Sequence, residues 1–201
     1  MRSAAPLDIP RWEWRTFAPF DGERLKAQLG SQKGTETASR EVSILCSRSK
    51  HDVLIHDDAI RLKWRKQVSP DGLELWDSVF AAAFPCQSEV LLRLFEAWGL
   101  PGPAQNRTVY SREQFLAEIL PQHPELQPIE INKRSQTFLL DGISCELSEL
   151  TVPQANLACF CIEHEDPELM LQVLHRLGLQ RRPSTSYPEG LKAALKMAPP
   201  R

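Results

Sequence analysis

Glu163 and Glu165 stand two residues apart in the stretch Cys161-Ile162-Glu163-His164-Glu165. On a strand, two-residue spacing puts side chains on one face. The two carboxylates then repel each other unless water, a cation or basic partners separate them. Other stretches pattern the same way, several with basic charge. Arg11, Glu13 and Arg15 alternate with Trp12 and Trp14, and Arg61, Lys63 and Arg65 alternate with Ile60, Leu62 and Trp64. Glu146 and Ser148 alternate with Cys145 and Leu147. Carboxylates facing lysines and arginines within one sheet suit a hard divalent cation, Mg2+ or Mn2+, together with a polyanion. Such cations take oxygen ligands, and a guanidinium grips two phosphate oxygens at once.

These faces admit two architectures. In one, the sheet has a wet side and the charges are solvated, each worth little. In the other, the sheet closes and the charged faces line a channel, which a barrel allows when water or ligand fills it.

The elements that must position them follow from turns and caps. A strand covers Trp12 to Phe17, and Asp21 caps a helix that Gly30 ends. Glu41 to Cys46 alternates as a strand. Asp52–Ile55 and Ala59–Arg65 flank a tight turn at His56-Asp57-Asp58. Asp71-Gly72 turns into a strand from Leu73 to Phe80. The spacing predicts a helix from Ser88 to Trp98, and Ser111 with Gln114 forms a capping box for a helix reaching Leu120. Strands follow over Ile129 to Leu140, Ile143 to Thr151 and Leu157 to Glu165. Asp166, Pro167 and Gly178 bracket the next helix, and a last one covers Pro188 to Met197. About eight strands in hairpins with peripheral helices make an α+β protein on an antiparallel sheet or barrel. No glycine-rich phosphate loop is present.

The 201 residues suit a single domain spanning 1–201. A net charge of −2 argues against a nucleic-acid coat, though a basic cavity would not show in that total. Five scattered cysteines fit buried, reduced thiols, and Cys159-Phe160-Cys161 matches no zinc knuckle. With no secretion signal at Met1-Arg2-Ser3-Ala4-Ala5-Pro6 and no membrane-length apolar run, the expected location is cytoplasmic, without membrane partners. A homodimer is left open. His56 reads as a turn residue, His164 as a packed one, and the five tryptophans mostly as core.

Taken together, these motifs resemble the CYTH domain, the fold of class IV adenylate cyclases and thiamine triphosphatases, also called triphosphate tunnel metalloenzymes. That family opens on Glu-x-Glu-x-Lys and closes on Glu-x-Glu before a helix. Here Arg11-Trp12-Glu13-Trp14-Arg15 is similar to the opening and Ile162-Glu163-His164-Glu165 to the close. Arg61-Leu62-Lys63 resembles a basic tunnel strand, Lys133-Arg134-Ser135 the Lys-x-Arg strand, and Cys145-Glu146-Leu147-Ser148 the acidic strand after it. The resemblance implies an eight-stranded antiparallel tunnel and metal-dependent hydrolysis of inorganic triphosphate or a triphosphorylated small molecule. Glu13, Glu146, Glu163 and Glu165 would hold Mg2+ or Mn2+. Arg15, Arg61, Lys63, Arg65, Lys133 and Arg134 would hold phosphate oxygens. Three positions depart from the pattern: Arg11 replaces the first glutamate, Ser135 the Lys-x-Arg arginine, and Ser148 an aspartate. Fewer acidic ligands weaken metal binding, so the alternative is a nucleotide- or polyphosphate-binding protein without efficient turnover, or a structural domain of the same fold.

Overall fold

Each strand's alternation decides which side chains face outward and which face the barrel axis. The computed structural model describes residues 9–30, 34–104 and 106–197. Its strands are β1 (Arg11–Phe17), β2 (Thr35–Cys46), β3 (Asp52–His56), β4 (Ala59–Val68), β5 (Glu74–Ala83), β6 (Cys86–Gln87), β7 (Val109–Tyr110), β8 (Leu126–Leu140), β9 (Ile143–Val152) and β10 (Ala155–His164). The helices are α1 (Gly22–Leu29), α2 (Ser88–Trp98), α3 (Arg112–Gln114), α4 (Pro167–Arg176) and α5 (Tyr187–Ala194). β6 pairs with β7 alone, and the other eight strands close an antiparallel barrel in the order β1-β10-β9-β8-β2-β3-β4-β5. The sheet is closed, and no described helix is long and apolar enough to cross a membrane.

Local chemistry explains most boundaries. Asp57 and Asp58 both adopt positive φ, 48° and 55°, as a two-residue hairpin turn requires. That turn sets the register Leu54↔Arg61 and Asp52↔Lys63. Asp21 accepts the Arg24 N–H at the start of α1, and Asp166 accepts those of Glu168 and Leu169 at the start of α4. The Ser111–Gln114 capping box forms, but the helix expected to reach Leu120 does not stay α-helical. Pro121 has no N–H to donate to Ala117. The Leu120 N–H turns back to the Phe115 carbonyl, giving a π-turn over Phe115–Ile119 that buries both of those side chains.

Apolar groups cover the outside of the barrel in two places. Trp14, Cys145, Phe160 and Ile162 pack beneath Leu25 and Leu29 of α1 and Met170, Val173 and Leu174 of α4. Val42, Ile44, Val53, Ile55, Ile60 and Leu62 pack beneath Leu91, Leu94, Phe95 and Trp98 of α2. Trp64 is the exception among the tryptophans, 38% exposed and stacked on His51.

A third cluster lies inside. Ile129 and Ile131 of β8, Leu150 and Val152 of β9, and Leu45 of β2 share the inward parity of Lys133, Glu146 and Glu41. They pack on Tyr187 and Leu191 of α5. The barrel interior is therefore apolar at one end, where α5 fills it, and polar beyond. Gly190 makes that seating possible, because a Cβ there would stand 1.9 Å from the Phe17 ring.

Candidate functional site

The polar part of the interior is a cavity of about 740 Å³. Of the residues singled out by sequence, Glu13, Arg15, Arg61, Lys63, Lys133, Glu146 and Glu163 line it. They come from β1, β4, β8, β9 and β10, whose antiparallel registers turn each motif's charged face to the axis. Three others do not line it. Arg134 alternates to the outer face and is exposed. Arg65 is tied to Glu74 at 2.7 Å and to Glu189 of α5 at 3.1 Å. Glu165 lies past the end of β10, half-exposed, with its Oε1 3.8 Å from Arg11.

Asp52, Glu41, Arg93 and Tyr187 also line the cavity. Asp52 is placed by hairpin arithmetic, directly across from Lys63. Counting outward from the two-residue turn would have found it. Glu41 shares its face with Ser43, and its carboxylate was the available signal. Arg93 reaches the cavity from α2, over the Phe80 ring at 5.4 Å. Tyr187 arrives from α5, and nothing local in its sequence announces that placement. Its hydroxyl donates to Glu41 at 2.5 Å, with Arg15 5.0 Å and Lys133 5.9 Å from its ring centroid.

Charge compensation organises the lumen. The Arg15 Nε donates to Glu13 at 3.0 Å, and Lys133 meets Glu146 at 2.9 Å. Burial pushes the Glu13 carboxyl up, but Arg15 and Lys63 outweigh burial and hold it below its ordinary value. Glu146 behaves likewise, with Lys133 overcoming burial. Burial opposes the charge on Lys63, yet Glu13, Glu163 and Asp52 around it raise its pKa. Asp52 goes the other way: burial raises it to about 6, Lys63 opposing only in part. Its Oδ1 is buried without a partner. Ser135 and Ser148, at two motif positions, hydrogen-bond each other at 3.0 Å.

Whether these residues fit a resident divalent cation can be read from one row. Glu74, Glu13 and Glu163 stand abreast on β5, β1 and β10 through direct cross-strand pairing. That is a donor set for a hard cation. Each carboxylate, however, is turned to its own arginine: Glu74 to Arg65, Glu13 to Arg15, and Glu163 to Arg11 at 3.4 Å. Among the described residues no three Asp, Glu, His or Cys side chains converge on one point. In this arrangement the carboxylates do not fit a bound Mg2+ or Mn2+.

No protein-family model matches the chain, and no curated protein sequence matches it significantly. Among solved structures, a putative adenylate cyclase from Bacillus halodurans superposes with a TM-score of 0.52 at 10% identity, covering 87% of this chain and 93% of that one. A conserved hypothetical protein from Pyrococcus furiosus gives 0.49 at 12% identity, over 89% and 98%. A putative adenylyl cyclase from Hippeastrum, described as having a dominant triphosphatase activity, gives 0.46 at 15% identity, over 85% and 89%. The fold shared with the Bacillus halodurans structure is an antiparallel tunnel barrel, and this chain has the CYTH-like fold.

Proposed function

We propose that the cavity binds the triphosphate group of inorganic triphosphate or of a triphosphorylated small molecule. One observation carries this reading. Arg61, Lys63 and Arg93 reach the lumen, and among the described residues none of them lies within salt-bridge distance of a carboxylate. Cations left free in a partly enclosed cavity attract a polyanion, and low local dielectric strengthens each contact. Arg15 on β1 and Lys133 on β8 add donors once their carboxylates yield. The fold shared with a putative adenylate cyclase supports the same substrate class by analogy.

The test is thermal shift and calorimetry with tripolyphosphate, ATP and thiamine triphosphate. Tripolyphosphate raises the melting temperature, and Lys63→Ala weakens its binding roughly ten- to a hundred-fold, the worth of a charged hydrogen bond. Absence of binding by all three anions would sink the proposal, and unchanged affinity in Lys63→Ala removes Lys63 from the site.

A second reading is metal-dependent hydrolysis of the bound triphosphate, for which Glu13 and Glu163, paired across β1 and β10, would first have to release Arg15 and Arg11. Phosphate release that requires Mg2+ or Mn2+ and is lost in Glu163→Gln supports it. Binding without release leaves the protein a binder.

A further inference from the structure

Along β1 the inward face reads Arg11, Glu13, Arg15, positive, negative, positive, between Glu74 on one side and Glu163 on the other. Arg11 occupies the mouth of the cavity, where a smaller hollow is bounded by Glu13, Lys63, Ser78 and Glu163. Its two terminal nitrogens reach different carboxylates, Nη1 to Glu163 at 3.4 Å and Nη2 to Glu165 at 3.8 Å. A divalent ion between such carboxylates would relieve their repulsion and leave one side open to an incoming phosphate. A guanidinium does both. It is permanently charged, it presents several donors in a plane, and its unused N–H groups remain available to another oxyanion.

The neighbouring groups reinforce this. Arg15 and Arg65 already hold the other two carboxylates of the row. A metal ion entering there would have to displace a guanidinium from its partner and then sit beside that displaced positive charge. Lys63, with no carboxylate of its own, adds further positive charge at the same place.

We propose that Arg11 is a tethered replacement for the divalent cation at the mouth of the cavity, so that this chain binds a triphosphate without metal. The proposal rests on the cavity being a triphosphate site, and it assigns Arg11 as a residue that positions the anion's outer phosphate.

Two measurements test it. Calorimetry with tripolyphosphate is run in EDTA and then in excess Mg2+. The expected result is an affinity in EDTA at least as tight as in Mg2+; binding seen only with Mg2+, or tightened tenfold by it, overturns the proposal. The second measurement follows Mn2+ by its paramagnetic resonance signal, without any anion, in wild type and in Arg11→Glu. Wild type leaves Mn2+ free while Arg11→Glu binds it at least tenfold more tightly, and the same variant loses tripolyphosphate binding in EDTA and regains it with Mn2+. Equal Mn2+ binding by the two proteins overturns the proposal. Arg11 is half-exposed, so substitution there leaves the core untouched. Should Arg11→Glu not fold, Arg11→Gln serves: its tripolyphosphate affinity in EDTA falls tenfold or more, and an unchanged affinity overturns the proposal. If wild type binds tripolyphosphate under no condition, the triphosphate reading fails, while the Mn2+ comparison still decides what Arg11 replaces.

Discussion

Asp52 shows how much a single buried group can govern. Its carboxyl titrates near 6 in the fold against an ordinary value of 3.8, because burial disfavours the charge and Lys63 opposes this only in part. A folded-state pKa above the unfolded one means the native chain holds the extra proton between those two values. Stability from this group is complete below about pH 4 and is lost as pH rises through about 6. Asp52→Asn therefore stabilises the protein above pH 6, on the order of 1–3 kcal/mol at neutral pH, with the gap closing below pH 4. Urea titrations across that range check it; a gap that widens towards acid would mean that Asp52 is favoured as the ion. At this scale the sequence was partly legible. Strand parity picked out Glu13, Lys63, Glu146 and Glu163 as inward charges, because a closed sheet must send every second residue to the axis. It picked out Arg65 as well, but Glu74 on β5 and Glu189 on α5 claim that side chain. Arg134 has the opposite parity to its neighbour Lys133 and so stands on the outer face.

Helix α5 decides where the polar cavity ends. It is eight residues long, and it delivers Tyr187 to Glu41, Glu189 to Arg65 and Leu191 to the inner apolar cluster. Gly190 sits against Phe17 with no room for a methyl group. Gly190→Ala must move either the helix or the ring, an overpacking that costs about 1–3 kcal/mol. Denaturant unfolding measures the loss, and a loss below about 0.5 kcal/mol, the ordinary range for a neutral surface change, would mean that the contact is not tight. Elements bounded by local chemistry were legible, among them the Asp57-Asp58 hairpin, the Asp166 cap and the helix from Ser88 to Trp98. The inner seating of α5 was not, since its apolar face looks the same whether it covers a barrel from outside or stoppers it from within. The π-turn was also illegible, although Pro121 was the residue to read.

At the scale of the molecule, closure itself was one of two architectures the sequence allowed, and alternation alone could not choose between a wet sheet face and a lumen. The choice is made by seams far apart in sequence. β1 joins β5 through Arg11↔Trp76, Trp12↔Leu75 and Glu13↔Glu74, while β2 joins β8 from Thr35↔Thr137 to Cys46↔Leu126. No local pattern announces either join.

Two of the lumen's cations are already satisfied within it, Arg15 by Glu13 and Lys133 by Glu146. An anion that takes hold of those two side chains swaps one oxyanion for another and strips few mobile counterions from the protein. Its affinity will therefore decline gently with ionic strength, as log Kd against log salt over about 0.05–0.5 M, more gently than bare lysines on a surface would dictate. A slope as steep as one released ion for every cation lining the cavity would show that the internal pairs are open in solution.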